Sequence, residues 1–140
     1  MSENKRIEVI LLQTGMEAKV IEIENDLDTM QTIVDGYIEE YMPFEDDVAL
    51  VCNEEGKVRE LELNRAIRDE HGAILDIIAG DCFLCYAPIE SEEFLSMPED
   101  LKEKYLEKFR EPEEFFRTPS GIKAVALTPK SRETDREFER

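Results

Sequence analysis

Two apolar runs, AILDIIAG and DCFLCYAP across Ala73–Pro88, constrain the fold of this chain more than any other feature. Runs this short, parted at Ala79-Gly80, read as one or two strands buried in a sheet. The N-terminal part repeats the theme. RIEVILLQ (Arg6–Gln13) and AKVIEIEN (Ala18–Asn25) flank Thr14-Gly15-Met16-Glu17, which reads as an antiparallel hairpin with Gly15 supplying the turn. Along its second strand Val20, Glu22 and Glu24 alternate with Ile21 and Ile23, so one face meets a core and the other meets water.

Helical spacing occurs in two places. Leu27, Met30, Ile33 and Val34 share a face in a helix near Asp26–Asp35, with Asp26 or Asp28 as N-cap and Gly36 ending it. Leu101, Tyr105, Leu106 and Phe109 do the same near Pro98–Arg110, before Pro112. YIEEYMPF is extended. VALVCN turns through Glu54-Glu55-Gly56-Lys57 into VRELEL as a second hairpin, Leu63–Arg68 makes a short helical turn, and Asp69-Glu70-His71-Gly72 is a loop. EEFFRTPSGIKAVALTP reads as a last strand pair around Pro119-Ser120-Gly121. The expected architecture is one α+β domain over residues 1–129, a mainly antiparallel sheet packed by two helices. A charged, fraying tail is expected over 130–140. Leu11, Val20, Ile23, Ile33, Val51, Leu63, Ile77, Phe83, Leu106 and Phe116 are the expected core.

Charge bounds the function classes. The chain carries 17 basic and 35 acidic side chains, a formal net charge of -18, and a pI near 4.4. Phosphate backbones are held largely by Lys and Arg that release counterions, so direct nucleic-acid binding is disfavoured, as is docking on an anionic membrane. A basic or nucleic-acid-binding protein is the partner such a surface suits. Between Glu22 and Glu62 fourteen acids face only Lys57 and Arg59. Glu45, Asp46, Asp47, Glu54 and Glu55 are the candidate binding face, either a merely solvating one or one that imitates the phosphate pattern of nucleic acid. Three cysteines give no disulfide framework, and neither a leader nor a membrane-spanning run is evident, so a cytoplasmic setting is expected.

Chemistry is sparsely signalled. Cys82 and Cys85 have C-x-x-C spacing, and Cys52 with His71 would complete a zinc set. Residues three apart on a strand point to opposite faces, however, and a lone C-x-x-C inside an apolar run suits core packing. His71, between Glu70 and Gly72, reads as a turn residue. No nucleophile–base motif is present, so neither catalytic residue, metal nor cofactor is expected. Asn64, Arg65 and Arg68 are the alternative site. As a helical turn they place Arg65 and Asp69 in an i,i+4 pair; as a cluster they would clamp an anionic molecule for a small enzyme or ligand-binding domain.

Four segments in series carry a family resemblance: GYIE (Gly36–Glu39), ALVCNEEGK (Ala49–Lys57), LNRAIRD (Leu63–Asp69) and DIIAG (Asp76–Gly80), followed by FREPEEF (Phe109–Phe115). Together they resemble the domain of unknown function 3846. The resemblance implies an accessory protein of plasmids, phages or integrative elements of Gram-positive bacteria, and it brings no catalytic residue with it. A small non-enzymatic binding protein that modulates or inhibits a host or defence protein is the expectation it favours.

Overall fold

The computed structural model describes residues 6–127, which form nine strands and two helices. In chain order these are β1 (Arg6–Leu12), β2 (Lys19–Glu24), α1 (Leu27–Val34), β3 (Ile38–Tyr41) and β4 (Val48–Asn53). They continue with β5 (Leu63–Arg68), β6 (Ile74–Ala79), β7 (Cys82–Tyr86), α2 (Glu99–Lys108), β8 (Glu113–Thr118) and β9 (Gly121–Ala126). Five strands make one antiparallel sheet in the order β2-β1-β7-β4-β3, and β5–β6 and β8–β9 are separate two-stranded ribbons. The result is the α+β domain the sequence pattern called for. No helix among the described residues is long and apolar enough to cross a membrane. The expected tail, 130–140, lies outside the described residues.

The apolar runs explain the centre. CFLC of β7 and VALVCN of β4 are buried on both faces, because each face of the sheet is covered. On one side Val9, Leu11, Val51 and Phe83 pack beneath Met30 and Val34 of α1. On the other, Ile10, Leu12, Leu50 and Leu84 pack against Tyr105 of α2, against its C-cap Phe109 and against Ile67 and Ile78 of the β5–β6 ribbon. A central strand with both faces covered loses the polar alternation of a half-buried one.

Helix α1 is bounded by side chains at both ends. Asp26 is the N-cap and accepts from the Thr29 N–H at 2.8 Å. Asp35 adopts a left-handed conformation, with φ 63°, and Gly36 follows at φ 155°. Asn53, buried at the end of β4, donates to the carbonyls of Val34 and Asp35, each at 3.0 Å, and so satisfies orphan acceptors at the helix end. A Cβ on Gly36 would lie 2.7 Å from Asn53 Nδ2, so only glycine permits that approach.

Two expectations are corrected. Leu63–Arg68 is a strand, not a helical turn, and VRELEL is not the partner of VALVCN. Residues 54–61 instead coil back, with the Arg59 N–H on the Glu55 carbonyl and the Leu61 N–H on the Gly56 carbonyl, leaving Val58 83% exposed. The strand propensity of LNRAIR is then satisfied by β6, in a register running Arg65↔Ile78, Ala66↔Ile77 and Ile67↔Asp76. In the core, Leu11, Ile23, Val51 and Phe83 are buried and Ile33, Ile77 and Leu106 are half-buried, but Val20, Leu63 and Phe116 are exposed. Val20 shares the outward face of edge strand β2 with Glu22 and Glu24. Phe116 projects from the β8–β9 ribbon, and Leu63 stands at the mouth of β5.

Phe83→Ala should lower unfolding free energy by about 3–5 kcal/mol, whereas Val58→Ala should stay within about 0.5 kcal/mol. Urea denaturation of the two variants checks the contrast.

Candidate functional site

Asn64 and Arg65 turn inward together because β5 is bulged. The pairing passes from Leu63↔Ala79 to Arg65↔Ile78, so Asn64 is an extra residue and two successive side chains enter the interior. Asn64 Nδ2 donates to the carbonyls of Leu12 (2.9 Å) and Gly80 (2.8 Å), and its Oδ1 accepts from Arg65 Nη1 at 2.8 Å. The Arg65 guanidinium, only 1% exposed, donates from Nε to the Phe109 carbonyl at 3.0 Å. It also donates from Nη1 to Gln13 O (3.3 Å) and from Nη2 to Met16 O (2.9 Å). Burial pushes its pKa down and the nearby Glu113 carboxylate opposes that, but a guanidinium stays charged at neutral pH. Its charge is met by backbone dipoles, those at the C-terminus of α2 included.

The helical pair of Arg65 with Asp69 does not form. Arg68 instead places Nη1 2.7 Å from Glu113 Oε2, while Glu113 Oε1 accepts from the Ala66 N–H at 2.9 Å. Of the three residues read as an anion clamp, Arg68 alone reaches a cleft, one of about 380 Å³ shared with Phe44, Lys104 and Lys108. Asn64 and Arg65 direct their donors at main-chain carbonyls.

The five acids of the candidate face are divided. Glu45, Asp46 and Asp47 precede β4, and Glu54 and Glu55 follow it, so a strand about 20 Å long separates the two groups. Asp46 is engaged internally: its Oδ2 accepts from Lys104 Nζ at 2.6 Å and from the Tyr105 hydroxyl at 2.8 Å, pinning α2 to the β3–β4 connection. Those bonds hold its carboxyl below the ordinary value of 3.8. Since the folded value is the lower one, the stabilisation is present above the ordinary value and is lost as pH falls through the folded one. Burial, then Asp46 itself, pushes the Tyr105 hydroxyl up. Glu45, Asp47, Glu54 and Glu55 are exposed.

A different set of carboxylates converges across the sequence. Glu40 on β3 and Glu92 and Glu93 in the loop after β7 line one groove beside Phe94. The run SEEF was the available signal, but nothing local ties it to residue 40. Asn53 was missed for the same reason, since the helix end it serves is distant in sequence.

Cys82 and Cys85 face opposite sides of β7. Cys82 joins Cys52 on the α2 side, and Cys85 lies on the α1 side. Burial, then Glu39, pushes the Cys52 thiol up to about 11, and burial raises the other two as well. His71 is exposed in the β5–β6 turn, 3.6 Å from Glu70. No group of three or more His, Cys, Asp or Glu side chains among the described residues has a metal-holding arrangement.

At about pH 8 the folded protein should leave its three buried thiols unreactive toward an aromatic disulfide reagent, and all three should react in denaturant. Prompt labelling in the native state would contradict the packing. Arg65→Ala leaves the Met16 and Phe109 carbonyls without the arginine donor and the Gln13 carbonyl with only the Met16 N–H, and should cost on the order of 3 kcal/mol. Arg65→Lys should not restore it, because an ammonium cannot reproduce the planar fork; denaturant midpoints check both.

A search for relatives found no match among curated proteins and none among solved structures. The model of the family described as domain of unknown function (DUF3846) matches residues 7–110, which run from β1 through the C-terminal end of α2. The match covers well over half of the sequence, and the chain belongs to that family.

Proposed function

We propose that this chain is a non-enzymatic binding protein whose negative surface engages a basic site on another protein, of the nucleic-acid-handling kind. As an accessory protein it would modulate or inhibit that partner. The observation that carries this reading is how the charges are disposed. The described residues hold thirty acidic and twelve basic side chains, so the whole net charge resides in them. The few cations are mostly engaged within the protein. Arg6, Lys57, Arg59, Arg68, Lys102, Lys104 and Arg110 each lie within 4 Å of a carboxylate, and Arg65 is buried. A body charged in this way sets up a field that draws in positively charged partners and repels nucleic acid. The rival, an anion-clamping enzyme, is weakened by the engagement of Asn64 and Arg65 with main-chain carbonyls.

The full chain immobilised on a support should retain a basic host protein at about 0.05 M ionic strength and release it near 0.5 M, where screening is short-ranged. Short duplex DNA should displace that protein, because both compete for the same basic site. Retention of nothing at low salt, or retention indifferent to salt and DNA, would defeat the proposal.

A further inference from the structure

We infer that the groove between α1, β3 and the 87–95 loop holds a basic peptide segment of a partner, with apolar side chains as anchors. The inference rests on the reading of the chain as an acidic binding protein and locates the contact. Two adjoining clefts, of about 410 and 260 Å³, share Glu40, Glu92, Glu93 and Phe94 and so form one continuous groove. Its floor is apolar: Met30 belongs to the core on the α1 side, and the half-buried Phe94 packs against it. Its margins expose apolar surface as well, with Leu27 54%, Met42 45% and Ile89 90% accessible.

Charge selects the occupant. Asp26, Glu40, Glu92 and Glu93 line the groove, and no Lys or Arg among the described residues does. The other clefts differ. That between β3 and β6 holds the Lys57–Asp76 pair at 2.5 Å, and that beneath α2 holds Arg68, Lys104 and Lys108. Asp26 is committed to the α1 cap, which leaves Glu40, Glu92 and Glu93 to receive cations. An uncharged apolar segment would desolvate these carboxylates without compensation, and a purely polar cation would leave Leu27, Met42 and Ile89 in water. A segment combining Lys or Arg with Leu-like side chains meets both demands.

The groove is also held in shape. Ser91 Oγ donates to the Glu93 carbonyl at 2.7 Å, Asn25 Nδ2 donates to Phe94 O at 3.0 Å, and the Leu95 N–H donates to Tyr86 O at 2.9 Å. Glu40 lies opposite Val51 on the sheet face that α1 covers, and β3, which carries it, is an edge strand paired in the sheet with β4 alone.

The test uses a fluorescent decapeptide of alternating Lys and Leu, with decalysine and an alternating Glu-Leu decapeptide as comparisons. Binding to the full chain is read by anisotropy. The Lys-Leu peptide should bind about tenfold tighter than either comparison. The variant Glu40→Gln/Glu92→Gln/Glu93→Gln should weaken it about tenfold, and Ile89→Ser severalfold. The variant Glu45→Gln/Asp47→Asn/Glu54→Gln/Glu55→Gln removes more charge yet should leave affinity within about twofold. All these side chains are exposed, and unchanged melting temperatures would show that the fold is kept. Loss of binding in the second set but not the first would overturn the groove while leaving the acidic-partner reading intact. Equal binding of decalysine would overturn the apolar anchors. Self-association abolished by the groove variant would assign the groove to a second copy and overturn the peptide. Binding of no cationic peptide at all would count against both readings.

Discussion

The fold turns on a positive charge in its interior. Arg65 joins the β1–β2 turn, through Gln13 and Met16, to the last turn of α2, through Phe109, and Asn64 ties the same point to the end of β1 and to Gly80. These contacts cross sequence separations of 44 to 52 residues for the arginine. Burying a guanidinium is costly, and the cost is offset because its donor nitrogens all find partners: the Phe109, Gln13 and Met16 carbonyls and the Asn64 side-chain oxygen. The position of the β5–β6 ribbon on the sheet, and hence the covering of one core face, follows from that junction. Apolar packing alone would let the ribbon slide; directional hydrogen bonds fix where it sits.

The remaining cations act nearer the surface. Lys102 reaches Glu8 of β1, Lys104 reaches Asp46, and Arg110 approaches Glu17 and Glu107. Exposed pairs of this kind contribute little individually, so their interest lies in position. They sit along α2 and hold it over the sheet, on the opposite side from the groove lined by Glu40, Glu92 and Glu93. These pairs thus neutralise acids on the α2 side of the sheet, while Arg59 meets Asp35 at the end of α1. The groove itself has no Lys or Arg among the described residues that line it.

How far this was legible follows from the range of each interaction. The β1–β2 hairpin, α1 with Asp26, α2 before Pro112 and the buried character of CFLC depend on neighbours in sequence, and pattern reveals them. The fate of LNRAIR depends on a bulge against β6 and on carbonyls near residues 13, 16 and 109, which no local window contains. Arg65, four positions before Asp69, looks like half of a surface ion pair until tertiary structure takes it inside. Likewise Val20 and Phe116 carry strand-core side chains, but exposure is decided by what covers a face. Among the acids, nearness in sequence is not nearness in space: β4 lies between Glu45–Asp47 and Glu54–Glu55, while Glu40 and Glu93 line one groove.

The order of strands in the sheet carries a consequence for how the protein forms. The middle strand, β7, is the last of the five to occur in the chain, and it inserts between β1 and β4. Until it arrives, β1–β2 and β3–β4 are two hairpins without a common partner, each presenting an inner edge of unsatisfied backbone groups and apolar side chains. Closure therefore waits for a pairing that links Ile10 to Leu84 across the chain. Such long-range pairing is slow relative to helix or hairpin formation. A nascent chain that has emerged only as far as the β5–β6 ribbon contains most of the sheet's residues but no sheet, and its interval of exposure to aggregation lasts until CFLCY follows.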